Sequence, residues 1–302
     1  MKKINLLDCT LRDGGYYNNW NFPKLLINNY LSAIAETKID YVEIGFRFLK
    51  KNKDYGPLAF TSESFLNKLK IPKKLKIALM INGNDYVDNL PKLKKIFVDK
   101  RKSKIDLVRI AININEFDKI EKISKIIKFK KYNIAINLMQ SNNIKKSTFI
   151  KTINKIKSWK VCDILYFADS LGAMDHLEVK RLCKLLKNYW KKDFGFHAHD
   201  NRSLAISNSL EAIKNSVNFI DSTILGMGRG AGNLATEKIL FELNRLNIHS
   251  GNVKNLSLCF EDFKNLQRIY SWGPNIFYHS AALNNIHPTY IQTLLSDQRY
   301  NI

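Results

Sequence analysis

Short apolar segments recur at fairly even intervals along the chain, and each is followed by a longer segment with helical periodicity. The apolar segments are almost continuous in Ile, Val, Leu, Phe and Ala, which is typical of parallel strands buried on both faces. We predict eight such strands, at residues 4–8, 41–45, 76–81, 107–111, 134–139, 164–168, 194–199 and 219–223.

The segments between these strands carry apolar residues on one face. In residues 115–130, for example, Phe117, Ile120, Ile123 and Ile127 recur at three- and four-residue spacings among Lys and Glu, as in an amphipathic helix. Eight strands alternating with helices over roughly 250 residues predict an α/β fold, the (β/α)8 or TIM barrel. A doubly wound open sheet is the alternative, because alternation alone does not establish closure. The first strand–helix turn, however, lacks the Gly-x-Gly-x-x-Gly pattern of that fold.

The alternation stops after about residue 250. Residues 257–270 and 288–295 have helical periodicity, and a Trp-Gly-Pro sequence lies between them. We therefore assign residues 1–250 to the barrel and residues 251–302 to a short C-terminal helical extension. This aromatic-rich tail is a candidate cover for the barrel mouth, although His287 within it is interpreted as a surface or packing residue.

The composition is ordinary except for its charge. The 302 residues are 45% hydrophobic and carry a formal net charge of +22. A basic protein can attract polyanions, yet the lysines occur in small groups along the whole chain, mostly on predicted outward helix faces and loops. We interpret them as a solvated surface and expect no nucleic-acid partner. A basic, non-catalytic barrel that binds nucleic acid is the alternative from another class.

Sequence patterns also bear on the location of the protein. No segment approaches the roughly 18 uninterrupted apolar residues of a membrane span, and the first apolar run, residues 4–7, is too short for a secretory signal. We therefore expect a cytoplasmic protein without membrane association. The cysteines show no Cys-x-x-Cys spacing and are interpreted as buried free thiols; they are Cys9, Cys162, Cys183 and Cys259.

Polar residues follow several predicted strands, at the end where a barrel carries its active site. His197 and His199 lie two residues apart on strand 7, so that both imidazoles face the same side. Two histidines and a carboxylate suit a divalent cation that acts as a Lewis acid. Asp13 is the candidate carboxylate, with Asp8 as a competitor, and a pair of structural histidines is the alternative.

Two further groups accompany this candidate metal site. Arg12 presents a planar, permanently charged set of donors and can stabilise an enolate oxygen; a buried ion pair with Glu43 or Asp8 is compatible with that role. Residues 226–232 are rich in glycine and form either a phosphate cradle at a helix N-terminus or a tight turn. We favour the turn, which would direct the Asn233 amide towards the metal while it caps the following helix.

Three motifs in this order resemble those of the DRE-TIM metallolyase superfamily. They are Leu-Leu-Asp-Cys-Thr-Leu-Arg-Asp-Gly at residues 6–14, His-Ala-His-Asp-Asn at 197–201 and Gly-Ala-Gly-Asn-Leu-Ala-Thr-Glu at 230–237. The superfamily includes 4-hydroxy-2-oxovalerate aldolase, 3-hydroxy-3-methylglutaryl-CoA lyase, and the isopropylmalate and homocitrate synthases. The chain looks most like the aldolase branch.

The resemblance implies roles for individual residues. It identifies the ligands of a divalent cation, usually Mn2+ or Mg2+, as Asp13, His197, His199 and, as in the lyase branch, Asn233. It also implies that Arg12 stabilises the enolate beside Glu43. The implied substrate is a 2-oxo acid whose retro-aldol cleavage yields a pyruvate-like enolate and an aldehyde.

The chain also departs from the aldolase pattern. Those aldolases carry a basic histidine where this chain has Tyr16, so Tyr16 or the adjacent Tyr17 is the candidate base, although an ordinary phenol of pKa about 10 is poorly matched to neutral pH. The glutamine of the synthases is missing, which argues against the second hypothesis, a Claisen-type synthase joining an acyl-CoA to a 2-oxo acid. The extension looks shorter than the region with which those aldolases dock a dehydrogenase, which argues against that partner. A barrel with such an extension often forms a homodimer.

Overall fold

The computed structural model describes residues 3–297 and contains a closed barrel of eight parallel strands in sequential order. The strands are β1 (Asn5–Asp8), β2 (Tyr41–Phe46), β3 (Lys76–Asn82), β4 (Ile105–Asn113), β5 (Asn133–Met139), β6 (Ile164–Asp169), β7 (Asp193–Ala198) and β8 (Phe219–Ser222). All eight predicted strands are confirmed with small shifts of their ends. Pairing of β8 with β1 closes the barrel and excludes the open sheet.

Helices surround the barrel and then continue beyond it. Those up to β8 are α1 (Thr10–Asn18), α2 (Lys24–Glu36), α3 (Glu63–Asn67), α4 (Gly83–Tyr86), α5 (Leu90–Ile96), α6 (Glu121–Phe129), α7 (Lys146–Ser158), α8 (His176–Tyr189) and α9 (Ala205–Lys214). They are followed by α10 (Thr236–Arg245), α11 (Ser257–Tyr270), α12 (Ile276–Leu283) and α13 (Pro288–Ser296). The helix predicted at 115–130 is divided, because Ile114–Ile120 forms 3-10 turns before α6.

Two hydrophobic cores explain why the strands are apolar on both faces. The larger core lies between the strands and the helices, whereas the smaller one fills the barrel interior with alternate residues of the strands, such as Leu107, Tyr166 and Phe219. A methyl group on Gly195 of β7 would lie 2.4 Å from the Tyr166 ring, so a glycine is required there. Above this interior core, the next inward positions are polar and form the floor of the site described below.

The C-terminal helices pack near the barrel mouth. The indole of Trp272 donates to the carbonyl of Leu225, and Gln292 of α13 donates to the Tyr17 hydroxyl at 3.3 Å. The predicted helices at 257–270 and 288–295 correspond to α11 and α13. Sequence patterns missed α12 because its apolar residues are not confined to one face.

The remaining structural expectations concern cysteines and membrane spans. All four cysteines are free and buried, as predicted. Within residues 3–297, no helix combines the length and the apolar character that crossing a membrane would require.

Candidate metal centre and active site

Arg12 and Asp13 lie in the first turn of α1, directly above the end of β1. The carbonyl of Cys9 accepts hydrogen bonds from the backbone N–H groups of Arg12 at 3.1 Å and Asp13 at 2.9 Å, which starts the helix immediately after the strand. Both side chains are buried. Arg12 donates from Nε to Glu43 Oε2 at 2.7 Å, and its Nη1 is paired with Asp13 Oδ1.

His197 and His199 project from β7 and the residues that follow it. Their ring centroids are 5.2 Å apart, and His197 Nε2 lies 3.5 Å from Asp13 Oδ2. His197 Nδ1 donates to Asp221 Oδ2 at 2.9 Å, which directs Nε2 towards Asp13. A carboxylate that fixes the second nitrogen of an imidazole in this way is typical of metal-binding histidines.

Asn233 completes the cluster but does not cap a helix. Its backbone forms an isolated antiparallel β-bridge with that of His199, and its side-chain Nδ2 donates to Asp13 Oδ2 at 2.8 Å. The helix-capping part of the prediction is wrong, because α10 begins at Thr236 and its N-cap position is occupied by Ala235 without a side-chain hydrogen bond. The Asn233 side chain lies at the barrel mouth instead.

A buried ionic layer supports the cluster from inside the barrel. Arg109 of β4 donates to Glu43 Oε2 at 3.1 Å and to Asp221 Oδ2 at 2.5 Å, and all three side chains are fully buried. The layer therefore connects Glu43, which holds Arg12, with Asp221, which holds His197. The importance of Asp221 was missed, although its carboxylate within a buried apolar strand was a usable signal.

Neighbouring charges set the ionisation states that a metal site requires. Burial alone would raise the pKa of Asp13, but the charge of Arg12, followed by those of the histidines, outweighs it and lowers the pKa to about 2. Burial and then the nearby His197 hold the pKa of His199 well below its usual value. The site thus contains an ionised carboxylate and a neutral imidazole, which are the forms that bind cations.

Asp8 does not compete with Asp13 for a metal, contrary to one expectation. Its carboxylate accepts hydrogen bonds from the hydroxyls of Thr10, Tyr30 and Thr236, each at 2.5 Å, and from the backbone N–H of Thr10. It also makes no ion pair with Arg12, which is bound to Glu43 and Asp13. These bonds join Asp8 to α2 and α10 and leave it turned away from the cavity.

The donor set fits a divalent cation. His199 Nδ1 and Asn233 Oδ1 are buried and have no hydrogen-bond partner among residues 3–297, so the cluster has unused bonding capacity. Ligand atoms of Cys9, Asp13 and His197 lie within 4.8 Å of one another. Burial, however, raises the pKa of the Cys9 thiol well above its usual value, and a protonated thiol is a poor ligand for cations that prefer oxygen.

These groups lie at the floor of a cavity of about 260 Å3 at the barrel mouth. Its lining includes Arg12, Asp13, both histidines, Tyr16, Phe46, Phe48, Met80, Asn82, Ala111, Asn113, Asn137, Met139, Gln140, Ala168, Ser170, Arg229 and His287. Asn233 and Glu43 support the cavity from behind. Thus the predicted residues converge, whereas Arg229 and Asn137 were not predicted to belong to the site. His287 lies at the mouth, as expected for the C-terminal tail, although this residue itself was interpreted as a surface or packing residue.

The cavity distinguishes the two tyrosines proposed as a base. Tyr16 lines it and is 38% exposed, whereas the hydroxyl of Tyr17 donates to the carbonyl of Gly228 at 2.9 Å. Burial raises the pKa of Tyr17 well above its usual value. Tyr17 is therefore a packing residue and Tyr16 is the remaining candidate.

A TIM barrel with a carboxylate, two imidazoles and a guanidinium at its mouth is the arrangement of a metal-dependent enzyme. Residues 96–259 match the model of the HMGL-like family, and the chain belongs to this family. It is therefore a divalent-metal-dependent aldolase or lyase of the DRE-TIM superfamily.

Known proteins show the extent of the similarity. A 4-hydroxy-2-oxovalerate aldolase of Pelotomaculum thermopropionicum is 29% identical over 255 residues, covering 82% of this chain and 72% of the aldolase. An oxaloacetate decarboxylase of Mycobacterium tuberculosis is 26% identical over 243 residues, covering 80% and 70% of the two chains. The crystal structure of the N-terminal domain of a candidate aldolase from Bacteroides vulgatus superposes with a TM-score of 0.84, at 33% identity and 98% coverage of both chains.

Proposed function

We propose that the protein cleaves or forms a 4-hydroxy-2-oxo acid, with a pyruvate-like enolate and an aldehyde as the other reactants. The observation that carries this proposal is the position of the Asp13 carboxylate at the floor of one cavity, with Oδ2 3.5 Å from His197 Nε2 and Oδ1 paired with Arg12. The 4-hydroxy-2-oxovalerate aldolases among the relatives support the same substrate class.

In this proposal the cation is Mn2+ or Mg2+, held by Asp13, His197, His199 and Asn233, because carboxylate and amide oxygens are the ligands that both cations prefer. Such a cation supplies Lewis-acid polarisation of a keto oxygen. Asp221 keeps the His197 ring oriented for this role, and the unpaired oxygen of Asn233 is available to it.

Arg12 stabilises the developing enolate in this proposal. Its Nη2 is buried and has no partner among residues 3–297, while Glu43 and Asp13 fix the other nitrogens. A pre-positioned donor of this kind lowers the barrier because no reorganisation is needed as charge develops. We assign Tyr16 the transfer of the substrate hydroxyl proton, since its ring lines the same cavity.

Exchange of the methyl protons of pyruvate in D2O tests the proposal without an aldehyde. We expect exchange with the Mg2+-loaded protein, none after treatment with EDTA, and a loss of more than about 100-fold in Arg12→Met, as for removal of one oxyanion donor. Arg268→Met is the matched control, because Arg268 lies on α11 and contacts Asn265. Exchange that persists in EDTA would contradict the proposal.

Two product assays separate related reactions. Release of CO2 from oxaloacetate would identify a decarboxylase that forms the same enolate. Release of thiol from acetyl-CoA in the presence of a 2-oxo acid would identify a Claisen-type synthase instead of an aldolase.

A further inference from the structure

We propose that Arg229 binds a second anionic group of the substrate, so that the site takes a 4-hydroxy-2-oxo acid bearing an additional carboxylate or phosphate on its aldehyde-derived part. This inference rests on the proposed function, because it concerns the same cavity. It makes Arg229 a residue that determines specificity among such acids.

The position of Arg229 is the first observation. It follows β8 in the glycine-rich loop, is half-buried and lines the same cavity as Arg12 and Asp13. Its guanidinium carbon lies 4.2 Å from the centroid of the Tyr16 ring, a cation–π contact. Tyr16 is itself fixed by an edge contact with Trp20, with centroids 4.9 Å apart. The guanidinium is therefore held in place at the wall of the cavity.

The second observation is that this guanidinium has no carboxylate partner among residues 3–297. The two other arginines of the site are paired, Arg12 with Asp13 and Glu43, and Arg109 with Glu43 and Asp221. By contrast, Arg229 contacts an aromatic ring, which leaves its hydrogen-bond donors available. Its charge also acts on the C-terminal tail, where it follows burial in lowering the pKa of His287.

The charge balance of the site gives the third argument. Arg12 and Arg109 contribute two positive charges, and Asp13, Glu43 and Asp221 contribute three negative charges. A divalent cation and the carboxylate common to all 2-oxo acids then neutralise this group. Arg229 has no ion-pair partner among the described residues and lies in a partly desolvated cavity, where a second substrate anion would compensate its charge.

The size and lining of the cavity restrict where this anion lies. At about 260 Å3, the cavity is below the roughly 300–1,000 Å3 of most ligand pockets, so the substrate is short. The formally charged lining residues within 3–297 are Arg12, Asp13 and Arg229, and the rest of the polar lining consists of amides, a hydroxyl, a phenol and imidazoles. A second anion therefore meets Arg229 as the available fixed cation.

Binding of two acids with equal chain length tests the proposal directly. We would measure by calorimetry the affinities of 2-oxoglutarate and 2-oxopentanoate for the Mg2+-loaded protein, since the two differ in the terminal carboxylate. We expect 2-oxoglutarate to bind at least about 10-fold more tightly, the lower range for a hydrogen bond between charged groups. Arg229→Met should reduce this ratio to about 1, Arg229→Lys should retain part of it, and Arg268→Met should leave it unchanged.

Turnover then distinguishes the two anion types. Cleavage of 4-hydroxy-2-oxoglutarate should exceed that of 4-hydroxy-2-oxovalerate in kcat/KM if the anion is a carboxylate. Condensation of pyruvate with glyceraldehyde 3-phosphate should exceed that with glyceraldehyde if it is a phosphate. An equal loss for monoanions and dianions in Arg229→Met would overturn the proposal, because Arg229 would then bind the carboxylate that all these acids share.

The outcome can be separated from failure of the proposed function. Absence of metal-dependent pyruvate exchange in the unmodified protein would refute the aldolase proposal. Normal exchange together with no preference for dianions would refute the assignment of Arg229 alone. Circular dichroism of each variant verifies that it is folded.

Discussion

Asp8 and Asp13 belong to one short motif and are both buried, but they occupy opposite electrostatic environments. Three hydroxyls and one backbone N–H surround Asp8. Arg12, His197 and Asn233 surround Asp13. Burial raises the pKa of Asp8 despite its hydrogen bonds, whereas burial of Asp13 is outweighed by the combined charges of Arg12 and its other cationic neighbours, which lower the pKa of Asp13.

The difference shows how neighbours assign distinct roles to identical residues. The hydroxyl donors satisfy the hydrogen-bonding capacity of the Asp8 carboxylate but do not compensate its charge. Asp8 is therefore a structural group, whose hydrogen bonds join β1 to α2 and α10. Cationic neighbours keep Asp13 ionised, and its Oδ2 faces His197 and the cavity. A motif alone does not distinguish these roles, because the partners of Asp8 and Asp13 come from distant parts of the chain.

Replacing Asp13 should give the larger functional effect. We expect Asp13→Asn to lose about three orders of magnitude or more in metal-dependent activity, roughly 4 kcal/mol, because Lewis-acid stabilisation is worth several kcal/mol. An asparagine still accepts from Asn233, and Arg12 stays paired with Glu43, so the variant should fold. Activity assays with calorimetric Mg2+ titration check this, and unchanged Mg2+ affinity would remove Asp13 from the ligand set.

Replacing Asp8 should instead affect stability. Asp8→Ala leaves three hydroxyls and an N–H without their acceptor, and we expect a loss of about 2–3 kcal/mol in the free energy of unfolding because unsatisfied buried groups are costly. Tyr30→Phe removes one of these bonds and should lose about 1 kcal/mol. Urea denaturation measures both, and Mg2+ affinity should be retained. A folded Asp8→Ala protein that no longer binds Mg2+ would contradict the separation of roles.

Local patterns were sufficient for most of the fold. The strands were predicted because continuous apolar runs are needed wherever both faces of a strand are buried, as in β4 and β6. Closure was inferred from the number of strands, since the pairing of β1 with β8 joins segments separated by the whole barrel. By contrast, α12 lacks a polar face and gave no periodic signal.

The site was predictable where its residues follow strand ends or belong to a recognised motif, as Asn233 does, and not where a loop residue outside the motifs reaches the cavity. His197 and Asp13 were recognised from spacing and position, and the structure brings them together. Arg229 reaches the cavity through a loop in which Gly226, Gly230 and Gly232 adopt positive φ angles, and no periodic pattern reports the path of such a loop. Because His287 comes from beyond the barrel, only the tertiary packing of the C-terminal tail places it at the cavity.

The dependence of stability on pH should give the smallest effect, with opposite signs for the two aspartates. The folded pKa of Asp8 is raised, so its contribution is complete below the unfolded pKa of about 3.9 and is lost as pH rises through the folded value. The folded pKa of Asp13 is lowered to about 2, so its contribution is present above the unfolded pKa and is lost as pH falls towards 2. Each slope is limited to about 1.4 kcal/mol per pH unit for one proton.

Urea denaturation of the metal-free protein, compared with Asp8→Asn from pH 4 upward and with Asp13→Asn from pH 4 downward, measures both slopes. As pH rises, the unmodified protein should lose free energy of unfolding relative to Asp8→Asn. As pH falls, it should lose free energy of unfolding relative to Asp13→Asn. Slopes of the same sign would mean that hydroxyl and cationic surroundings do not separate the two carboxylates.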